Sequence, residues 1–291
     1  MNLSSDCINI LFFSINKSNI NYLFKNKEYL QSIENFKSFF SLIHNSIELN
    51  FHPNFISNFF KNVDLTTFLK TKRDESVIAY IFLFNEYYKI NNCLPKILIL
   101  KNGKPIFIKN KIPDDFKFSI SHSSIKSKNE SFIMLVFCQN NMIENVGADI
   151  QTHTDSSVPI NKIVSRISTE NEKEYLKNIN HTFSLKQTNI FCYNLWALKE
   201  SFVKTQGQGL AFSKNISFNC NEIQKEIPFT LTESYIFNFI NFIKNTQIDC
   251  CKNVESNFSK MNFKSFLIKH NNLNFSSAVT LSLFNNFPAL N

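Results

Sequence analysis

Residues 116–150 read FKFSISHSSIKSKNESFIMLVFCQNNMIENVGADI. Phe116, Phe118 and Ile120 alternate with Lys117, Ser119 and Ser121, the two-residue period of a half-buried strand that delivers His122 at its end. Phe132 to Phe137 forms a second strand and Met142 to Ile150 a third. In the third, Val146, Ala148 and Ile150 face one way while Gly147 and Asp149 face the other. Strands this close together in the chain read as antiparallel neighbours.

Upstream, Cys7 to Ile15 is strand-like, and the signals up to Asp64 are mixed. Apolar residues from Leu65 to Tyr88 recur at steps of three and four, predicting a long amphipathic helix over Leu65 to Lys89. Ile97 to Leu100 and Pro105 to Ile108 flank Asn102-Gly103, a dipeptide that accepts the positive φ angles of a type I′ hairpin turn. Pro105 confines its strand to an edge or a strand start. Downstream, helices are expected from Pro159 to Ile167, after a capping box at Thr169 and Glu172, and from Ser184 to Gln206, where Gly207 stops it. Strand-like runs follow at Asn215 to Phe218, Phe229 to Ile240, Phe263 to Lys269 and Ala278 to Leu283, with a polar surface excursion from Asp249 to Lys260. Helices mixed with antiparallel strands in both halves give an α+β class rather than a parallel doubly wound sheet. A chain of 291 residues stands at the upper end of what one core fills, so two domains of about 140 residues are expected.

Apolar residues make up 43% of the chain and charged residues 19%, which excludes disorder as the main state. No uncharged apolar run approaches the ~18 residues of a membrane span, and no basic region precedes the first apolar stretch, so neither membrane nor secretion is expected. Seven cysteines without a C-x-x-C pair fit a reducing compartment, and a cytosolic protein is expected. The net charge of +8 comes almost wholly from scattered lysines, because Arg73 and Arg166 are the only arginines. Nucleic-acid readers favour arginine forks and clustered basic residues, so the excess points instead to small anionic ligands such as phosphates. A basic nucleic-acid binder stays open as a rival, and it predicts one contiguous lysine face with interleaved aromatics.

Glycine is rare as well, with four in the chain: Gly103 in KNGKP, Gly147 in NVGADI, and Gly207 with Gly209 in KTQGQGL. A chain so depleted keeps glycine where the backbone needs positive φ or close approach, so these three segments are where a site is sought. In the helix containing LWALKESFVK, Trp196, Glu200 and Lys204 lie four apart and share a face, with Lys199 beside them. That stripe is either an ordinary Glu–Lys pair on a solvated face or part of a site. Asp149 is either a turn residue or a carboxylate that joins a second one around a hard cation such as Mg²⁺, which shares its octahedron with phosphate oxygens and water. His122 is either a core histidine or, with Ser119 and Ser121, a phosphate seat. No G-x-S-x-G elbow, P-loop or G-x-G-x-x-G fingerprint occurs.

Taken in order, Asn102-Gly103-Lys104-Pro105, Phe118 to Ser123, Val146 to Ile150, Trp196 to Lys204 and Gly207 to Leu210 resemble the motif series of the surfactin-type 4′-phosphopantetheinyl transferases. The wording around Trp196 is most similar to the aminoadipate-semialdehyde dehydrogenase transferase branch. The resemblance spans Lys72 to Leu210. It implies two similar α+β halves related by a pseudo-twofold, residues 1–144 and 145–291, with the active site in the cleft between them. It implies transfer of phosphopantetheine from coenzyme A to a serine of an apo acyl- or peptidyl-carrier domain, of fatty-acid synthase, polyketide synthase or aminoadipate reductase type, with release of adenosine 3′,5′-bisphosphate. Asp149 and Glu200 would hold Mg²⁺, Glu200 or a water it orients would be the base, and Lys204 would neutralise a pyrophosphate oxygen. Coenzyme A contacts are implied for Arg73, at its 3′-phosphate, and for Asn102, Gly103, Lys104, Ser119, Ile120, Ser121 and His122. Three positions depart from the pattern. Gln151 stands where many relatives have a second acid, a loss that the aminoadipate-type branch shares; Ile99 replaces a basic residue for which Lys101 substitutes; and Ser119 stands where asparagine is common. A monomer is expected, and a relative that binds coenzyme A or a carrier without transferring is the alternative.

Overall fold

The computed structural model describes residues 7–16, 51–62, 74–125, 129–153, 160–179, 182–221, 230–231, 234–238, 248–250, 261–270 and 273–283. Its strands are β1 Cys7–Asn16, β2 Lys96–Ile99, β3 Pro105–Lys109, β4 Ile112–Pro113, β5 Phe116–Ile125, β6 Glu130–Gln139 and β7 Ile143–Thr152. Beyond them come β8 Ile216–Phe218, β9 Thr230–Leu231, β10 Ser234–Asn238, β11 Ile248–Cys250, β12 Met261–His270 and β13 Leu273–Leu283. The helices are α1 Phe55–Asn62, α2 Asp74–Asn91, α3 Ile160–Ile167, α4 Glu170–Ile179 and α5 Leu185–Gln206. The Arg73 position and the first part of the helix expected from Leu65 fall outside the described residues, as does most of the excursion after Asp249.

Two four-stranded sheets, ordered β10-β1-β6-β5 and β7-β13-β12-β9, stack between α2 on one side and α5 on the other. Strand β6 shows why. Ser131 to Cys138 are all buried, the continuous apolar run of a strand covered on both faces. Ile133, Leu135 and Phe137 pack with Val77 to Tyr88 of α2, whereas Phe132, Met134 and Val136 meet Val146, Ala148 and Ile150 of β7 and Val279 and Leu281 of β13. On the far side Phe191, Leu195, Leu198 and Phe202 of α5 pack with Phe263 and Ala278. Pairing within the sheets is antiparallel except between β9 and β12, and β10 crosses from the second half of the chain to extend the sheet of β1. Among the described residues no helix is long and apolar enough to cross a membrane.

Helix α5 is closed at both ends. Ser184 and Gln187 form a capping box, and Gly207, at φ +65°, ends the helix in the left-handed conformation. One face of it touches backbone. A Cβ on Gly147 of β7 would stand 2.0 Å from the Ser201 carbonyl oxygen and 2.2 Å from Thr205 Oγ1.

The small sheet β2-β3-β4 corrects the turn assignment. At Asn102-Gly103 only the glycine has positive φ, +84°, and its N–H donates to Leu100 O, so this is not a type I′ turn. The two-residue connection with positive φ at both positions is Asn110-Lys111, at +52° and +67°, joining β3 to β4. Lys199 also departs from expectation: it lies fully buried, 2.7 Å from Glu172 and away from the Trp196 stripe. Its ammonium also donates to the Ser213 and Ile216 carbonyls, and Glu172 accepts from the Thr169 and Phe218 N–H groups, so the pair is satisfied and holds α4, α5 and β8 together.

The backbone contact at Gly147 sets the first prediction. Gly147→Ala forces a methyl against helix backbone and should cost about 3 kcal/mol in urea unfolding, with an unchanged m-value. An unchanged midpoint would contradict the packing described here.

Candidate active site

Sheet and helix bring the predicted residues together from opposite directions. Asp149 lies inside β7 rather than at its end, 3% exposed, on the face turned towards α5. Lys204, in the last turn of α5, places its ammonium 2.6 Å from Asp149 Oδ1, 3.1 Å from the Ala148 carbonyl and 3.1 Å from Ser121 Oγ. Ser121 itself donates to Asp149 Oδ1 at 2.9 Å and accepts the Ile150 N–H at 3.2 Å. Gln151 Nε2 donates to Asp149 Oδ2 at 2.5 Å, so the residue standing in place of an acid braces the remaining acid.

Glu200 sits one turn before Lys204 and accepts from the Trp196 indole N–H at 3.3 Å. Burial first, and the Asp149 charge second, raise its carboxyl above the usual carboxylate range, against the pull of Lys204 and the indole. The Asp149 charge thus reaches Glu200 across the strand–helix contact. Among the described residues no group of three or more His, Cys, Asp or Glu is placed to hold a metal. Two carboxylates, one of them paired with Lys204, nonetheless suit Mg²⁺, which needs few protein ligands and takes the others from phosphate and water.

Beside this cluster opens a cleft of about 390 Å³. Asn102, Gly103, Lys104, Ser119, Ile120, His122 and Lys204 line it, together with Ser76, Tyr80, Ile99, Pro105, Gly207 and Gln208. Lys101 is exposed on the hairpin outside the lining, and Ser121 lies beneath it. His122 is half-buried within β5, which continues three residues past it instead of ending there.

Three of the four glycines meet at this junction. Gly103 turns the hairpin, Gly147 admits α5, and Gly207 ends α5 where a Cβ would strike the Asn102 side chain at 2.1 Å. The Lys104 ammonium closes the corner, donating to the Val146 carbonyl at 3.2 Å and to the Thr205 carbonyl at 2.9 Å. Burial lowers its pKa to about 7, with Glu144 opposing that shift and Lys117 adding to it.

The role of the serines was not foreseen. Ser119, Ser121 and Ser123 of β5 accept the N–H groups of Ala148, Ile150 and Thr152 of β7, so their hydroxyls join two sheets. The signal in the sequence was the S-x-S-x-S spacing, which matches the two-residue repeat of outward N–H groups on a strand edge. Ser76 and Tyr80 were also missed, because nothing in α2 distinguishes cleft-facing residues from core ones.

No curated protein matches this chain. Residues 145–257, the segment that carries Asp149, Glu200 and Lys204, match the family model of the 4′-phosphopantetheinyl transferase superfamily.

Proposed function

We propose that the chain is a Mg²⁺-dependent 4′-phosphopantetheinyl transferase of the surfactin type, near the aminoadipate-semialdehyde dehydrogenase transferase branch. It moves the phosphopantetheine arm of coenzyme A to a serine of an apo acyl- or peptidyl-carrier domain. The observation that carries the proposal is the convergence of Asp149, Glu200 and Lys204 beside a cleft, within the segment that matches the superfamily. The two halves, residues 1–144 and 145–291 related by a pseudo-twofold, belong to the same proposal, as do a monomeric state and a cytosolic location.

In this scheme the carrier serine oxygen attacks the phosphorus that bears the pantetheine arm. A new phosphodiester forms, the pyrophosphate bond breaks, and adenosine 3′,5′-bisphosphate leaves with the electron pair. Asp149 and Glu200 would hold Mg²⁺, which when bound offsets charge on the pyrophosphate oxygens. Glu200 takes the serine proton directly or through a water it orients. Lys204 is already fixed by three acceptors, so its charge needs no reorganisation to meet the developing one. Ser119, Ile120, His122, Asn102, Gly103 and Lys104 contact coenzyme A along the cleft, with Ser121 beneath them and Lys101 at the rim. Arg73 meets the 3′-phosphate.

The direct test is incubation with labelled coenzyme A, Mg²⁺ and a series of apo acyl- and peptidyl-carrier proteins. Label on a carrier serine is expected; no label on any of them, with a folded enzyme, refutes transfer.

Glu200→Gln couples catalysis to stability. Turnover should fall by at least about a thousandfold, as for loss of a general base together with a charge-stabilising group. Metal-free stability should move the other way. The folded pKa of Glu200 lies above its unfolded value, so ionisation destabilises the wild type as pH rises through that interval. Glutamine removes the penalty, so the variant should melt higher at pH 7, with the gap closing below about pH 4. Full activity in the variant, or a lower melting temperature at pH 7, would contradict the assignment.

Lys104 gives a further expectation. With a pKa of about 7 it is mostly neutral at pH 8, and a phosphate beside it favours the charged form. Coenzyme A binding should therefore take up a proton, visible as a buffer-dependent enthalpy in calorimetry at pH 8, and Lys104→Met should abolish that dependence.

A further inference from the structure

We infer that Asn102-Gly103 is a site of spontaneous deamidation, and that the isoaspartate formed there unseats the hairpin from the end of α5 and weakens binding of an anionic ligand in the cleft. The chemistry of the turn is independent of the transferase proposal; its effect on coenzyme A rests on that proposal.

Deamidation needs an asparagine side chain that folds onto the next backbone nitrogen, and a Cβ on the following residue obstructs that approach. Asn102 is the only asparagine in the chain followed by glycine, which lacks the obstruction. Both residues are exposed. Apart from chain neighbours, no heavy atom lies within 4 Å of where a Cβ on Gly103 would stand, so the turn has room to move.

Three hydrogen bonds bear on the reacting atoms. The Lys104 N–H donates to Asn102 Oδ1 at 3.1 Å, which folds the side chain back over Gly103 and polarises the carbonyl that is attacked. Nδ2, the departing nitrogen, is held loosely, 3.5 Å from the Gln206 carbonyl oxygen. The Gly103 N–H donates to Leu100 O at 2.8 Å, and that bond must open before the nitrogen attacks.

No cofactor is needed. Gly103 N gives its proton to solvent and bonds to Asn102 Cγ; the Cγ–Nδ2 bond breaks, and ammonia leaves with the electron pair and a proton from solvent. Water then opens the cyclic imide. Opening at Cγ gives aspartate. Opening at the main-chain carbonyl carbon of residue 102 gives isoaspartate, whose backbone runs through the former side chain and is one carbon longer.

Position makes the change matter. Asn102 and Gly103 line the cleft, and the Asn102 side chain fills the space that a Cβ on Gly207 would need, with Nδ2 2.1 Å from it. Hairpin turn and helix end are therefore fitted to each other at this residue. A longer backbone moves the turn off Gly207 and breaks the Gln206 contact. The new carboxylate shares a lining with Lys104 and Lys204, so it competes with a bound phosphate for their charge.

The full chain is incubated at physiological temperature in mildly alkaline buffer, and its proteolytic peptides are followed by mass spectrometry beside a synthetic peptide of residues 97–108. The peptide bearing residue 102 should gain about one mass unit and accept isoaspartyl methylation, at a rate within about tenfold of the synthetic peptide's. The converted fraction, separated by ion exchange, should melt a few degrees lower and bind coenzyme A about tenfold more weakly by calorimetry. Asn102→Gln should stay unmodified at that position over the same period. Asn102→Asp, which adds the charge without the extra carbon, should weaken coenzyme A binding and keep the wild-type melting temperature.

Slower conversion than that range overturns the inference, and the wild-type record decides this even where a variant fails to fold. Conversion with an unchanged melting temperature overturns the unseating of the hairpin, and conversion with unchanged coenzyme A affinity overturns the effect on the cleft. Fresh wild type that binds no coenzyme A refutes the transferase proposal alone, while mass and melting still decide the chemistry of the turn.

Discussion

Among the described residues, strand β7 has a strand neighbour, β13, on one side only, and side chains satisfy its other edge. Three serine hydroxyls of β5 accept its outward N–H groups, and two lysine ammoniums, Lys104 and Lys204, donate to the carbonyls of Val146 and Ala148. An open strand edge buried without partners would leave each such group at a cost of about 1–3 kcal/mol, so this seam is what allows the two sheets to meet. A paired strand would satisfy the same groups but bring only backbone. A hydroxyl that accepts from an N–H keeps its own proton to pass on, as Ser121 does to Asp149. The seam thus introduces polar and charged groups into the one line where sheet, sheet and α5 converge.

That arrangement divides the two carboxylates unequally. Asp149 is held by a serine, a glutamine and a lysine, so its charge is compensated before any ligand arrives. Glu200 is held above the usual carboxylate range by burial first and by the Asp149 charge second, with Lys204 and the indole hydrogen bond only partly opposing them. One acid is fixed and the other is poised, an asymmetry common where one group must hold and the other must exchange a proton. The cost falls on folding: a carboxylate kept unfavourable in the native state lowers stability at neutral pH.

Much of this was legible in the chain because the controlling signals are local. Alternation along β7 put Gly147 and Asp149 on one face, the four-residue spacing put Trp196, Glu200 and Lys204 on another, and rare glycines marked where those faces approach. What was hidden depends on partners distant in sequence. Lys199 looks no different from Lys204 as a letter, yet one helical step turns it into the α4–α5 core against Glu172. The serines of β5 read as a phosphate seat because nothing local says that an edge strand needs acceptors there. Likewise the type I′ geometry falls at Asn110-Lys111, where the short β4 must return at once, rather than at Asn102-Gly103, whose loop is longer because it must also meet the end of α5. The parallel β9–β12 pairing and the exchange of β10 into the sheet of β1 are equally non-local.

The tolerance of the site is therefore the tolerance of the packing. Gly147 and Asp149 point the same way from one strand, two residues apart, and Ser201, Lys204 and Thr205 occupy one turn of the helix that rests on them. The contact that limits how closely helix and strand approach, at Ser201 and Thr205, is also the one that sets the 2.6 Å separation between Lys204 and Asp149. Close-packed interiors shift in whole side chains rather than by smooth compression, so a displacement of an ångström there would not soften the ion pair gradually. It would detach it, taking with it the Ser121 and Ala148 bonds that share the same ammonium. Charge placement at this junction is inherited from backbone contact: where the Lys204 ammonium sits depends on how closely α5 approaches a residue with no side chain.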